Sequence, residues 1–435
     1  GVDVLPTSSV LNIPPGAASA DIAAKLGVRF LVRGSIQSEK NQSHVSLELF
    51  DATLQRNSFS RQFTADPPKL FDLKHELAAQ IARALNRSLP DHPPQTLPRY
   101  SRDPMAYSEF MQGYRQSSSG DFQLLDLAAK HLTNAVTRDA NFALAHAVLS
   151  YVCAVRHFEF EPNWTWLEKA EFHCHRSLEL DPSLPEGHVA NAFLLWGPSK
   201  NFQHLEAIAE LKHALALQSN LPHAYNRLGT ILAHIGLLDA ARGMYERSRA
   251  FDPRKSISHS IVQVLIWNGE YDSAREQIVR WREENPSSKY AIYFAPQPAL
   301  FKGDFKKAKA LLDEAARLVP DDPTMVSLQG IYHALTGNSQ QALRSMNRAC
   351  ANPKTFGHAH HTYYQVACIL SLLGRLEPAF EWLQRSVDTG FACWPFFRKD
   401  PCLQNLRTLP QFESLVSSLQ AKYPGELGVL KISAR

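Results

Sequence analysis

Two short histidine clusters are the residues in this sequence whose types and spacing could hold a metal ion. In HCH, His173 and His175 flank Cys174, and side chains two positions apart on a helix point about 200° away from each other. These histidines cannot share one ion, and we predict that they lie on a solvated helix face. In GHAHH, at residues 357–361, three histidines precede a predicted helix and could meet around zinc. Because a zinc site usually has four ligands and no fourth is evident nearby, the cluster formed by His358, His360 and His361 stays unassigned.

The spacing of the cysteines and the absence of known catalytic motifs argue against an enzyme. The six cysteines contain no C-x-x-C pair, so neither a zinc knuckle nor a redox pair is indicated. Cys153 and Cys174 fall at facing core positions, where we predict small buried fillers; whether they pair is left open. The phosphate-binding loop, the dinucleotide fingerprint, the serine-hydrolase elbow, the zinc-protease helix and the kinase motifs do not occur in the sequence. We therefore predict no catalytic residue, no metal, no cofactor and a chain that is not an enzyme.

Composition is that of a folded protein. The sequence has 435 residues, of which 44% are hydrophobic and 20% charged, so disorder throughout the chain is excluded. The net charge of +4 comes from 46 basic and 42 acidic residues that are scattered without a run of five like charges, which argues against a dedicated nucleic-acid surface. We expect no transmembrane segment, since no apolar stretch reaches about 18 residues. The start at Gly1 reads as mid-domain, and we expect further sequence upstream.

A glycine turn recurs at a nearly fixed distance along the chain. Its glycines are separated by 33, 34, 34 and 37 residues, at Gly236, Gly269, Gly303, Gly337 and Gly374. A period near 34 is typical of a helix-turn-helix repeat. Glycine accepts the positive φ that reverses the chain, the alanine that closes each turn lets the two helices approach, and a proline ends the second helix. Each hairpin leaves an apolar face that only a neighbouring hairpin can cover.

The residues within each period resemble the tetratricopeptide repeat. One unit carries Leu228 and Gly229 in its first helix (helix A), Ala241 and Tyr245 in its second (helix B), and Pro253 at its end, which is the pattern of that family. The resemblance covers residues 105–390. It implies a mainly α protein, with a right-handed α-solenoid of about eight helical hairpins. Residues 391–435 are then predicted to form a C-terminal cap and tail.

The first 89 residues have a different periodicity. VRFLVRGSI, HVSLELFDA and SFSRQFT alternate at period 2, which predicts three antiparallel strands flanked by two helices. The order of these elements resembles a TolB-like module, and because the strand and helix that normally precede it are missing, we predict a partial TolB-like α/β domain at residues 1–89. The segment at 90–104 is rich in proline and reads as a linker.

The family resemblance also implies where a partner would bind. In tetratricopeptide arrays helix A lines the concave side, and the matching positions are aromatic or amide-bearing and nearly free of charge. They are Tyr151, Phe193, Trp196, Asn226, Thr230, His259, Gln263, Trp267, Tyr293, Gln297 and Tyr364. Such a groove suits an extended peptide or a partner helix. It lacks the combination of Lys, Arg and Asn that would resemble the carboxylate clamp of chaperone-binding arrays.

These observations favour a protein-interaction or sensor module of a bacterial signalling or transcription regulator. The resemblance implies an upstream output domain, such as a CadC-type DNA-binding domain, a Ser/Thr kinase or an adenylate cyclase. Two alternatives stay open: a scaffold for envelope assembly, and an RNA-binding helical repeat, although the inner positions lack the basic residues that phosphate contacts need. We expect no nucleic acid to bind this region. A cytoplasmic location is favoured, and an upstream signal or membrane segment would instead indicate the periplasm.

Overall fold

The computed structural model describes residues 4–5, 10, 13, 16–39, 42–65, 73–85, 101, 103–117, 122–160, 163–251, 259–284, 288–351 and 357–424. Most of the predicted linker at 90–104, and the tail from residue 425, lie outside these ranges. Within them, no helix combines the length and the apolar character that spanning a bilayer requires.

A three-stranded antiparallel sheet with a helix on each face forms the amino-terminal unit, as the period-2 alternation predicted. Leu31 and Phe50 pack against the first helix, whereas Leu49 is buried on the opposite face, on the side of the second helix. The elements in chain order are α1 (Ser19–Leu26), β1 (Phe30–Glu39), β2 (Gln42–Asp51), β3 (Arg56–Ala65) and α2 (Leu73–Ala84), with the strand order β1-β2-β3. The TolB-like assignment of this unit stays a prediction.

Eight helical hairpins follow in the described part of the chain, which confirms the predicted solenoid. Each pairs a helix A with a helix B, and helix A of the sixth hairpin is in two pieces. The helices are α3 (Pro104–Gln116), α4 (Phe122–Arg138), α5 (Ala143–Val155), α6 (Trp164–Leu180), α7 (Pro185–Leu195), α8 (His204–Leu217), α9 (Pro222–His234), α10 (Leu238–Phe251), α11 (His259–Asn268), α12 (Tyr271–Glu284), α13 (Lys289–Phe294), α14 (Gln297–Phe301), α15 (Phe305–Leu318), α16 (Pro323–Leu335), α17 (Ser339–Cys350), α18 (Ala359–Leu372) and α19 (Leu376–Asp388).

The turns inside the hairpins have the geometry that the glycine period predicted. All five turn glycines have positive φ, between 72° and 89°, a region that side chains other than glycine rarely adopt. The alanines that close these turns are 0% exposed, because each lies between the two helices of its hairpin; they are Ala241, Ala274, Ala308, Ala342 and Ala379. Among the A helices, α5 contacts α7, α7 and α11 both contact α9, and α16 contacts α18. We call the A helices the inner layer and the B helices the outer layer.

After the last hairpin the chain turns back toward the inner layer. It forms α20 (Trp394–Lys399), two 3₁₀ turns at Pro401–Leu403 and Leu406–Thr408, and α21 (Pro410–Lys422). Helix α20 contacts both α21 and α11, so it reaches from the end of the array to its fifth hairpin. We call residues 390–424 the cap.

Two glycines in the fourth hairpin provide a matched test of helix packing. A Cβ atom on Gly229, in α9, would lie 2.7 Å from the ring of Tyr245, whereas a Cβ on Gly243, in α10, would meet nothing within 4 Å. We expect Gly229→Ala to lower the free energy of unfolding by about 1–3 kcal/mol through overpacking. Gly243→Ala should raise it by about 0.5–1 kcal/mol, because alanine favours a helix. Denaturant unfolding measures both, and a stabilising Gly229→Ala would contradict the close approach of the two helices.

Candidate functional site

The predicted groove residues of the carboxy-terminal hairpins line one small cavity of about 30 Å³. Trp267 and Gln297 are each 5% exposed and Tyr364 is 4% exposed. Gln263 and Tyr293, which line the same cavity, are half-buried. These side chains therefore lie against other parts of the chain and do not form an open trough in this structure.

The cap fills this part of the concave face. The ring of Phe391 lies 4.9 Å from that of Trp267 and 5.2 Å from that of Tyr364, centroid to centroid. The main-chain N–H of Ala392 donates to the carbonyl of His234 over 2.8 Å. Because Phe391 is itself only 1% exposed, the aromatic residues that the sequence analysis assigned to a partner here contact the protein's own cap.

A buried carboxylate helps to fix the cap. The Tyr364 hydroxyl donates to Oδ2 of Asp400 over 2.7 Å, and the main-chain N–H of Cys402 donates to its Oδ1 over 2.8 Å. Burial raises the pKa of Asp400 and raises the pKa of Tyr364 well above its usual value. Both carboxylate oxygens have partners, so this group anchors the 3₁₀ turn that follows it.

Two further predicted groove residues, both in the third hairpin, are buried by neighbouring side chains. Trp196 is 0% exposed and meets the ring of Phe202 at 5.8 Å. Phe193 is 3% exposed, and the Arg227 guanidinium lies 3.9 Å from its ring centroid. These aromatic side chains pack between hairpins.

Thr230, one of the polar residues predicted to contact a partner in this region, forms hydrogen bonds within the protein. The Thr230 hydroxyl donates to the carbonyl of Asn226 over 3.0 Å and accepts from the Tyr245 hydroxyl at 3.3 Å. Asn226 is half-buried. His259 begins α11, and its side chain lies outside the described residues.

The concave face opens at the first four hairpins. There a cavity of about 310 Å³ is lined by α3, α5 and α7 and by the chain around the start of α9. Tyr151, one of the predicted partner-binding residues, lines it and is half-buried. His223, in α9, adds an imidazole ring to its wall. The remaining aromatic rings and the thioether come from α3, which the sequence analysis did not select; they are Tyr107, Phe110, Met111 and Tyr114. These residues could have been selected from the sequence, because α3 is helix A of the first hairpin.

Two clusters in the described chain bring together potential metal ligands. Cys368, Asp400 and Cys402 form one, and the carboxylate there already has the two partners described above. The other joins the three histidines of GHAHH to His234, at the end of α9. Sequence reasoning missed His234 because it lies in a different hairpin, far earlier in the chain.

The remaining thiols and histidines considered in the sequence are structural. Cys153 and Cys174 are buried free thiols, and burial raises the pKa of each to about 12. His175 is exposed, but His173 is half-buried and its Nδ1 lies 2.8 Å from that of His146. The predicted solvated face therefore holds for His175 and not for His173, because α6 turns His173 toward α5.

Stacked hairpins with turn glycines and closing alanines define a helical-repeat solenoid whose inner layer is open at one end and filled by its own cap at the other. Residues 299–355 match the family model described as tetratricopeptide repeat. The chain therefore carries tetratricopeptide repeats in this region, and the hairpins on either side of it have the same two-helix architecture.

Relatives of known sequence or structure are distant. Over 183 residues the chain is 26% identical to "Putative adenylate cyclase 3" of Rhizobium meliloti (strain 1021), a match that covers 40% of this chain and 30% of that protein. The structure of yeast Tom70 is 15% identical, covers 82% of this chain and 74% of its own, and has a TM-score of 0.39. The APC/C hetero-tetramer Cut9–Hcn1 is 14% identical, with 74% and 64% covered and a TM-score of 0.42.

The packing of the cap can be tested with two phenylalanines. Phe391→Ala should lower the free energy of unfolding by about 3–5 kcal/mol, because it leaves a cavity between buried rings. Since Trp267 then gains water, tryptophan emission should also shift to the red. Phe172→Ala is the control: that side chain is 63% exposed, and its loss should change stability by less than about 0.5 kcal/mol. Equal effects of the two substitutions in denaturant unfolding would contradict the inward position of the cap.

Proposed function

We propose that this chain binds an extended segment of a partner protein in the open part of its concave face. The observation that carries the proposal is the cavity of about 310 Å³ at the first four hairpins. This volume is near the lower end of the range of about 300–1,000 Å³ for binding pockets. It suits a few side chains of a peptide that continues along the groove on either side.

The walls of the cavity suit apolar anchors. Tyr107, Met111, Tyr114 and Tyr151 are all half-buried, so each presents part of its side chain to the cavity. Aromatic and methionine side chains are enriched at protein interfaces because they offer large contact areas. Methionine also adapts its shape to different partners.

An amide at the rim supports recognition of a peptide backbone. The side-chain amide of Asn220 donates to the main-chain carbonyl of Val4 over 2.7 Å, and Val4 and Leu5 line the same cavity. A short stretch of the chain's own backbone is thus held at the groove by a side-chain hydrogen bond. A partner peptide would use the same kind of contact, with its carbonyls facing the rim amides and its apolar side chains facing the tyrosines.

The charge of the cavity disfavours nucleic acid as the occupant. None of the described residues that line it is a lysine or an arginine. Binding to RNA relies on basic side chains that neutralise phosphates. A protein segment is therefore the better match.

The wider role proposed for the chain is the sensor part of a multi-domain bacterial regulator, in which binding is transmitted to an upstream output domain and no reaction is catalysed by the repeats. The partial match to a protein named as an adenylate cyclase, over 30% of its length, supports this context. In such a regulator the occupied groove would alter the activity of the output domain. The TolB-like assignment of residues 1–89 belongs to the same proposal.

Selection from a displayed peptide library tests the groove. The full chain should enrich peptides with apolar or aromatic anchors, and fluorescence anisotropy with one selected peptide gives its dissociation constant. Tyr151→Ala and Met111→Ala should each weaken binding about tenfold or more, as expected for interface anchors. Salt should have little effect, since no lysine or arginine is among the described residues that line the cavity.

A tyrosine outside the groove provides the control. Tyr363 lies on α18, where its ring meets that of Trp382 on α19 at 5.4 Å, and Tyr363→Ala should leave peptide affinity unchanged. The proposal fails if Tyr151→Ala binds the selected peptide as tightly as the unsubstituted chain, or if folded protein enriches no peptide at all. Tight, salt-sensitive RNA binding in a gel shift would favour the RNA-binding alternative.

A further inference from the structure

Four histidine side chains from two distant hairpins meet inside the molecule. His234 ends α9, while His358, His360 and His361 lie at the start of α18. One ring nitrogen of each lies within 4.8 Å of the corresponding nitrogens of the others. Two members are fully enclosed: His234 is 1% exposed and His360 is 0% exposed.

Hydrogen bonds fix which nitrogen of two rings faces the centre. Nδ1 of His234 donates to the Thr230 carbonyl and Nδ1 of His360 donates to the Thr389 carbonyl, each over 2.8 Å. The Nε2 atoms of both rings therefore carry lone pairs, and both are buried without a hydrogen-bond partner. In metal-binding histidines, one ring N–H almost always donates to an oxygen atom outside the site, and the other ring nitrogen binds the metal.

The third ring follows the same rule with a carboxylate. Nε2 of His358 lies 3.4 Å from Oε1 of Glu159, and Nδ1 of His358 is buried without a partner. Glu159 belongs to a π-helical turn at Arg156–Phe160. Its negative charge would offset part of the charge of a cation at the centre.

Close backbone contact holds the histidine segment against this turn. The N–H of Gly357 donates to the Phe158 carbonyl over 3.1 Å, and a Cβ at Gly357 would lie 2.4 Å from that oxygen. Only glycine fits so close an approach. Because π-helical turns are often found at functional sites, the pairing of this turn with a histidine segment points to a built site.

The unpartnered ring nitrogens of three of these histidines also point to a ligand. Nε2 of His234, Nδ1 of His358 and Nε2 of His360 are buried without a hydrogen-bond partner, and the four rings meet at one point. An apolar core would not place so many nitrogen lone pairs around one point, because a buried acceptor without a partner is costly.

We propose that His234, His358, His360 and His361 together bind one divalent transition-metal ion, with Zn²⁺ as the best match. Four imidazoles around Zn²⁺, with Zn–N distances of about 2.0–2.1 Å, have ring centroids about 5 Å apart in a tetrahedron. The six centroid distances among these rings run from 4.5 to 6.3 Å. Calcium and magnesium are poor matches, since they prefer oxygen ligands.

Four protein ligands leave no position for a substrate, so the site is structural. The ion would tie the fourth hairpin to the eighth, beside the cap. The Cys368, Asp400 and Cys402 cluster is the competing location, and it differs in offering sulfur ligands.

Cobalt spectroscopy on the full chain tests the site without any substitution. After dialysis against a chelator, the folded protein is titrated with Co²⁺ and then with Zn²⁺. We expect one Co²⁺ per chain, with the intense visible bands of tetrahedral nitrogen coordination, and displacement by Zn²⁺. A thiolate-to-cobalt charge-transfer band would assign the ion to the cysteines and overturn the proposal. Absence of saturable binding, or the weak bands of an octahedral aquo ion, would also overturn it.

Substitutions then identify the ligands. His234→Gln and His360→Gln should each weaken Zn²⁺ binding about 100-fold or more, since loss of even an outer contact costs about 10–100-fold. Zinc should raise the thermal midpoint of the unsubstituted chain and not of these variants.

His204→Gln is the matched control. His204 is also buried, at 7% exposed, but its Nε2 donates to the Gly390 carbonyl. Its loss should therefore leave Zn²⁺ affinity unchanged. Unchanged affinity in His234→Gln would overturn the proposal, and if that variant does not fold, the cobalt spectrum decides.

Discussion

A two-helix hairpin cannot cover its own apolar face, and the rest of the structure follows from how this chain covers it. Each hairpin packs against its neighbour, as α5 does against α7 and α16 does against α18. The last hairpin has no neighbour, and here the chain turns its end inward, so that Phe391 and Phe397 are buried against inner-layer helices. The requirement for a terminal cover is general in repeat proteins. In this protein the cover also occupies the concave face.

Local features of the fold could be predicted from the sequence, because they depend on single residues at fixed spacing. The glycine period predicted five turns with positive φ, and alternation predicted the three strands. The candidate site was only partly predictable. Trp267 and Tyr364 are residue types that are common at binding surfaces. Their 5% and 4% exposure nevertheless depends on how the cap, a later segment of the chain, packs against them. His234 meets His360 for the same reason, and no local pattern marks such a contact.

Aromatic residues of one inner layer thus serve two purposes. In the carboxy-terminal hairpins they pack against the cap, and at the first four hairpins they remain half-buried around a cavity of about 310 Å³. Residue type alone does not separate the two, since tyrosine occurs in both; the accessible area of each ring does. The proposed peptide site lies where these rings stay partly accessible. The proposed metal site lies where the end of α9 meets the start of α18.

Contacts between the cap and the middle hairpins also bear on how the protein folds. His204 bonds to the carbonyl of Gly390, and the Tyr423 hydroxyl lies 3.4 Å from the same imidazole. An open solenoid has only near-neighbour contacts, so it can nucleate anywhere and grow one unit at a time. These contacts join residues 186 and 219 positions apart, which raises the contact order and adds a loop-closure entropy cost to the assembly of the carboxy-terminal part. The carboxy-terminal part should therefore fold late and unfold as one cooperative unit, unlike an array whose hairpins unfold independently.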